Sequence, residues 1–358
     1  MILRDRPSYH SPMLRREFLR NSIVLTGGAA LPAFPSWIGS AAAQAAKPAD
    51  ALTAMRTQIG STPIEAVTLG DNLTMLGGPG GNVVVLTGSD GKLVVDTFVQ
   101  PAWAGLKQRL DGMGSGRITA LINTHWHFDH ADNNANFRKA GAEIVAHTNT
   151  KKRLMEPHDL LGAHFEPAPP EALPTKTFRS NHALDVNGER VAIGYIPPAH
   201  TDTDVYVRFA KANVLHLGDL FFNGSYPFID ASTRGSINGM IGGTSIAMTL
   251  ADRRTKIVPG HGPLGDLDAL TKYRDMLVTV RDRVQKLKTS GQTVEQVIAA
   301  KPTAELDETW GKGFMNPANF LTIVYNTLAT TSPAPPGRRP PGGPGRAERD
   351  ESPSAPPR

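Results

Sequence analysis

Four potential metal ligands stand within six consecutive positions, His125-Trp126-His127-Phe128-Asp129-His130, an H-x-H-x-D-H pattern. Imidazole nitrogens with a carboxylate suit zinc or another first-row cation, and this spacing lets one loop contribute to two adjacent ions. Three histidines and an aspartate crowded onto a solvated surface would serve no structural purpose. The pattern therefore reads as a metal site. Four ligands on one loop cannot close two metal sites, so further donors are needed. Three later segments each offer one directly after a strand-like run: His200 in Pro198-Ala199-His200-Thr201-Asp202, Asp219 in His216-Leu217-Gly218-Asp219, and His261 in Pro259-Gly260-His261-Gly262. Loops at strand ends hold functional groups on a rigid frame.

The elements that must position these residues follow from hydrophobic patterning. Residues 64–96 alternate short β-rich runs with glycine turns: 64–69, 73–76, 82–87 and 92–96. Residues 101–110 have helical spacing, with Trp103, Leu106 and Leu110 on one side. The apolar run 118–123 predicts a buried strand that delivers the histidine motif. A helix over 132–140 and a strand over 143–146 follow, and 160–176 reads as a Pro-rich loop. The second half repeats the style, with strands at 190–196, 205–209, 213–217 and 256–258 and helices at 236–250, 267–288 and 317–328. Strands mixed with helices in two similar halves point to a layered α/β sandwich, two packed sheets with helices outside.

Bulk properties narrow the function classes. The chain of 358 residues is long enough for one large domain or two small ones, and 40% apolar with 20% charged residues is ordinary for a soluble globular protein. The pI of about 9.4 is a property of the ends. Residues 1–45 carry five arginines against Asp5 and Glu17, and residues 331–358 carry five against Glu348, Asp350 and Glu351. The middle is neutral, which argues against nucleic-acid binding by the folded part. Cysteine is absent, so disulfides, thiolate ligands and thiol nucleophiles are excluded.

The two ends read as lying outside the fold. Arg15-Arg16-Glu17-Phe18-Leu19-Arg20 is a twin-arginine pattern followed by an uncharged, only moderately apolar segment over 21–45. Ala43-Gln44-Ala45 supplies an A-x-A cleavage site, so the mature protein is expected to begin at Ala46, and Met13 is an alternative start. A membrane span wants about 20 largely apolar residues, so a leader is favoured over a stable anchor. The expected partners are the twin-arginine export machinery and a small-molecule substrate, and the expected location is the periplasm or beyond. Such export carries proteins already folded, which agrees with a metal acquired beforehand. Residues 331–358, dominated by Pro, Gly, Ser and Arg, read as a disordered tail, leaving 46–330 as one domain.

Taken in order, the H-x-H-x-D-H motif, His200, Asp219 and His261 resemble the metallo-β-lactamase superfamily, and the match runs from about residue 64 to residue 288. The resemblance implies a four-layer αββα sandwich of the α/β class with metals at one edge. It further implies that His125, His127 and His200 hold a first metal, that Asp129, His130 and His261 hold a second, and that Asp219 bridges them. Two zinc ions are expected, with iron or manganese as alternatives. A water bound there would ionise near pH 7 and attack a carbonyl, oriented by Asp129 as the catalytic carboxylate.

Departures from the family narrow the choice. True β-lactamases usually carry Cys or Ser where this chain has Asp219, and many place a Lys where it has Phe222; quorum-lactone hydrolases favour a Tyr at the latter position. An aspartate bridge instead resembles the glyoxalase II-like thioesterases and lactonases. The expected function is an exported dinuclear hydrolase of an ester, thioester, lactone or lactam. The alternatives are a diiron or sulfur-oxidising oxidoreductase on the same ligands, or β-lactam hydrolysis as the main activity. Nuclease action is disfavoured by the neutral core. Tyr226 is weighed as an oxyanion donor or a packed ring, and Phe221, Phe222 and Phe228 as cavity rim or core. Asp96, Asp204 and His147 are candidates to orient the ligands. His216 reads as a satisfied buried histidine, and His158, His164 and His182 as solvated loop residues.

Overall fold

The computed structural model describes residues 48–328. Two sheets pack face to face. In chain order the first half gives helix α1 (Pro48–Gly60), strands β1 (Glu65–Gly70), β2 (Leu73–Gly77), β3 (Val83–Leu86) and β4 (Lys92–Val95), helix α2 (Trp103–Asp111) and strand β5 (Ile118–Ile122). It continues with α3 (Phe128–Ala131), α4 (Asn134–Lys139), β6 (Glu143–His147), α5 (Thr148–Leu154), the hairpin strands β7 (His158–Leu160) and β8 (Ala163–Phe165), and β9 (Lys176–Phe178). The second half gives β10 (Asn181–Val186), β11 (Glu189–Tyr195), β12 (Val205–Phe209), β13 (Val214–His216), α6 (Ile237–Thr249) and β14 (Lys256–Val258). Four helices follow: α7 (Leu267–Thr289), α8 (Val294–Ala299), α9 (Asp307–Trp310) and α10 (Pro317–Thr327).

The first sheet has the order β1-β2-β3-β4-β5-β6-β9, antiparallel through β4 and parallel beyond it. The second has the order β10-β11-β12-β13-β14, antiparallel except for the parallel β13–β14 pair. The continuous Val-rich run of β3 is buried on both faces, as its composition demands. Val84 points into the space between the sheets with Leu93, Val191, Val207 and Val258. Its neighbours Val83 and Val85 point the other way, onto Leu106 and Leu110 of α2 and Phe137 of α4. On the outer face of the second sheet, Leu215 and Ile257 pack against α6, α7 and α10 through Met240, Tyr273, Leu277 and Phe320. The layers are therefore helix, sheet, sheet, helix, as the family resemblance implies.

Local signals set the helix starts. Ser236, Asp266, Thr293 and Asn316 each accept a backbone N–H of the first turn, and Pro317 occupies the opening position of α10. One expectation needs correction. Residues 160–176, expected as a loop, run from the end of β7 through β8 to the start of β9, because Leu161-Gly162 supplies a two-residue hairpin turn. The helix expected over 132–140 is present as α4, which begins after Asn133. The Asn133 amide donates to the carbonyls of Thr97, Phe98 and Val99. Among the described residues no helix is long and apolar enough to cross a membrane. The expected leader and the Pro-rich tail lie outside the described residues.

Candidate metal centre

The C-terminal ends of the parallel strands converge on one edge of the sandwich, and the H-x-H-x-D-H loop leaves β5 there. Loops following β11, β13 and β14 bring His200, Asp219 and His261 to the same place. All seven residues singled out in the sequence are brought together. They form two groups: His125, His127, His200 and Asp219, and then Asp129, His130 and His261. Within each group the donor atoms lie within 4.8 Å of one another.

Asp219 faces both groups. Its Oδ2 is 3.8 Å from His125 Nε2 and 3.4 Å from His200 Nε2, while its Oδ1 is 3.1 Å from His130 Nε2 and 3.3 Å from His261 Nε2. One carboxylate oxygen per group is the arrangement a bridging ligand needs. Asp129 Oδ2 closes the second group at 3.2 Å from His261 Nε2 and 3.5 Å from His130 Nε2. In the first group His200 Nε2 and His127 Nδ1 are 2.9 Å apart.

The opposite nitrogens of four of these histidines have protein partners, which fixes the edge each ring presents. His125 Nδ1 meets Thr124 Oγ1 at 3.1 Å, and His127 Nε2 meets Asp230 Oδ2 at 3.2 Å. His130 Nδ1 meets Asp96 Oδ2 and His200 Nδ1 meets the Phe228 carbonyl, both at 2.8 Å. Asp96 is fully buried at the end of β4 and also accepts from the Thr124 hydroxyl and the Thr124 N–H. Asp204 holds the His200 loop by accepting from the backbone N–H groups of His200 and Thr201. Burial nonetheless pushes its carboxyl up to about 7.

Glycines form the floor. A Cβ on Gly81 would stand 2.1 Å from His130 Cε1, and one on Gly260 would stand 2.0 Å from Asp219 Oδ1. The backbone must approach this closely for the rings and the carboxylate to converge. Asn82 ties the two floor segments together through the carbonyls of Pro259 and Gly262, both at 2.9 Å.

This donor set fits metal ions. His125 Nε2, His130 Nε2 and Asp219 Oδ1 are buried and make no hydrogen bond, a costly state unless something else satisfies them. The charge balance agrees. Burial alone would lower His130 and His261, yet the carboxylates of Asp219 and Asp129 raise both, His261 to about 9. Burial alone would raise Asp129, yet His130 and His261 bring it down to about 2. The negative field of these carboxylates, which holds protons on the neighbouring rings, is one that a metal cation would satisfy in the protons' place. By contrast, burial lowers His125 well below its ordinary value and His200 to about 4, leaving neutral rings suited to coordination.

Other sequence expectations resolve as follows. His216 is a satisfied buried histidine, bonded at Nε2 to the Asn82 carbonyl and at Nδ1 to the Gly218 N–H. His147 orients no ligand: its ring stacks on Tyr195 and bonds the Arg179 carbonyl and the Asn149 N–H. His158 and His182 lie on β7 and β10, not in loops, with His158 against Trp126 and His182 stacked on Phe178. His164 lies on β8, likewise not in a loop, half exposed beside Asp159. The Tyr226 hydroxyl donates to Asp307 Oδ1 at 2.8 Å, so the packed-ring reading holds over the oxyanion donor. Phe221 is core against Tyr273, whereas Phe222 and Phe228 line a cavity over the centre.

That cavity has a volume of about 360 Å³ and ends on His127, Asp129, Asp219 and His261. Met55 and Ile59 of α1, Leu160 and Leu161 of the hairpin, and Phe314 also line it. None of these five, nor the role of Asp230, was evident in the sequence. Asp230 sits 103 residues from His127, and no spacing rule connects them.

The family model of the metallo-beta-lactamase superfamily matches residues 76–281, so the chain belongs to that superfamily. Comparison with curated proteins gives no match. Among solved structures the chain is similar to a metallo-beta-lactamase from Pontibacter korlensis, with a TM-score of 0.52 at 15% identity over 60% of this chain and 99% of that one. It is also similar to the inverting sec-alkylsulfatase Pisa1 from Pseudomonas sp., with a TM-score of 0.57 at 16% identity. That match covers 76% of this chain and 52% of the sulfatase. The DIM-1 metallo-beta-lactamase gives a TM-score of 0.50 at 20% identity over 61% of this chain and 99% of that one. At such identities the likeness is one of fold.

Proposed function

We propose that the protein is an exported, dinuclear metal-dependent hydrolase that cleaves an ester, thioester, lactone or lactam. The observation that carries this reading is Asp219, whose two oxygens face two separate donor groups at 3.1–3.8 Å. His125, His127 and His200 would hold one ion, Asp129, His130 and His261 the other, with Asp219 shared and zinc the expected metal. Such ions supply Lewis acidity toward a carbonyl oxygen and acidify water to a pKa of about 7.

The chain's own residues do the rest. Asp129 is ionised at neutral pH and lines the cavity, where its carboxylate accepts a hydrogen bond from water and orients it. Phe222 stacks on His261, with ring centroids 5.0 Å apart, and limits water on that side. In hydrolysis the water oxygen bonds the acyl carbon and the bond from that carbon to the leaving oxygen, sulfur or nitrogen breaks. One water proton ends on the leaving group.

An aspartate at position 219 supports the Asp-bridged, glyoxalase II-like branch. The twin-arginine pattern at residues 15–20 supports export to the periplasm or beyond. The decisive experiment assays zinc-loaded protein, matured with its leader, on chromogenic esters, thioesters, lactones and lactams. Turnover of at least one class is expected, falling about 10²–10⁴-fold in Asp129→Asn. Protein that binds no transition metal, or an Asp129→Asn variant of undiminished rate, overturns the assignment. Fractionation of cells carrying Arg15→Lys with Arg16→Lys tests export, the expected result being retention in the cytoplasm.

A further inference from the structure

The walls of the cavity and its floor differ in chemistry. Beside His127, Asp129, Asp219 and His261, the lining is dominated by apolar side chains such as Met55, Ile59, Leu161, Phe228 and Phe314, drawn from four separate parts of the chain, with only the hydroxyls of Thr62, Ser225 and Tyr226 among them. Among the described residues no lysine or arginine lines it. An anionic group in this arm would be desolvated next to hydrocarbon with no side-chain cation to pair it.

Leu161 adds an independent observation. It occupies the first central position of the β7–β8 turn at φ +54°, followed by Gly162 at φ +77°. A two-residue turn with both central residues at positive φ strongly favours Asn, Asp or Gly at the first, where a branched side chain is disfavoured. Leucine is nevertheless there, 41% exposed, at the cavity wall. Neither backbone preference nor burial accounts for it; contact with an apolar ligand does.

We propose, resting on the hydrolase reading above, that the substrate is an uncharged acyl compound. Its hydrocarbon arm lies against Leu161, Met55, Ile59 and Phe228, and its scissile carbonyl lies at the Asp129–Asp219 end. The arm is selected by length and by lack of charge.

The test is calorimetric binding of non-hydrolysed amides to the zinc-loaded full chain, which does not depend on turnover. From butanamide to octanamide, affinity is expected to rise about fourfold per methylene. 8-Amino-8-oxooctanoate, a chain of equal length ending in a carboxylate, is expected to bind at least tenfold more weakly than octanamide. Leu161→Asn suits the turn, so it should fold with equal or greater thermal stability yet bind octanamide several-fold more weakly. A flat chain-length series, equal binding of the carboxylate-ended amide, or wild-type affinity in Leu161→Asn each overturns the proposal. If amides show the length dependence but no acyl substrate is cleaved, the hydrolase reading fails and the apolar arm stands. If acyl substrates are cleaved without regard to length or charge, the arm fails and the hydrolase reading stands.

Discussion

Replacing Asp96 with asparagine should damage both halves of the metal centre while sparing the fold. The Asp96 Oδ1 accepts the Thr124 N–H at 2.8 Å, and its Oδ2 accepts both the Thr124 hydroxyl at 2.7 Å and His130 Nδ1 at 2.8 Å. Because the hydroxyl proton points to Asp96, the Thr124 oxygen is left to accept from His125 Nδ1 at 3.1 Å. One carboxylate thereby holds a proton on Nδ1 of a ligand in each group and leaves both Nε2 lone pairs bare toward the centre. Asparagine has a single acceptor oxygen, so whichever way the amide turns, its NH₂ faces a donor. Facing His130 and Thr124, it would drive both histidines to the tautomer with Nε2 protonated, which cannot coordinate. Backbone strain is not a confounder, since Asp96 sits at φ +65°, a region asparagine also tolerates.

The magnitude follows from two estimates that agree. Loss of a partner behind a ligand costs about 10–100-fold in metal affinity. A hydrogen bond to a charged group contributes about 1.5–3 kcal/mol, and about 1.4 kcal/mol is tenfold. Competition of the protein with a chromophoric chelator for zinc should therefore show both binding steps weakened by about 10–100-fold. Long-range ¹⁵N–¹H spectra of the imidazoles should show the change of tautomer at His125 and His130. Two zinc ions bound with wild-type affinity by Asp96→Asn would refute the reasoning.

Three further outcomes are expected. Gly81→Ala would thrust a Cβ against the His130 ring, so zinc affinity at the second group should fall at least about tenfold, with about 1–3 kcal/mol lost by overpacking in urea unfolding; unchanged affinity would count against the close-approach argument. Chelation of the zinc-loaded protein should lower Tm, since an ion present at 100 times its Kd adds about 2.7 kcal/mol, and an unmoved Tm would mean that the cluster binds nothing. Burial holds His147 below its ordinary value, and its neutral Nδ1 accepts the Asn149 N–H. Because the folded value is depressed, the stability this contributes is complete above about pH 6.5 and lost as pH falls through the folded value. His147→Gln should flatten that part of the stability–pH curve measured by urea titration, and an unaltered slope would remove His147 as its source.

The candidate donors of the centre were legible in the sequence alone. His125, His127, Asp129 and His130 are neighbours in the chain, so their spacing is legible without a fold, and His200, Asp219 and His261 each follow an apolar run that reads as a strand. Period-two and period-3.6 patterns likewise marked strands and helices, because burial imposes those periods locally, while the four-layer arrangement came with the family resemblance. Tertiary structure decided what lies between segments far apart in the chain. The split of Asp219 between two groups, the pairing of Asp230 with His127 and the convergence of Asp96 on Thr124 and His130 are all properties of the packed sheets. The cavity wall was hidden for the same reason. Met55, Leu161 and Phe314 are ordinary apolar residues in their own neighbourhoods, and only folding turns them toward one site. Candidate metal ligands stand out in a sequence because few side chains can bind a metal, whereas a cavity wall is made of common residues whose meaning is their position.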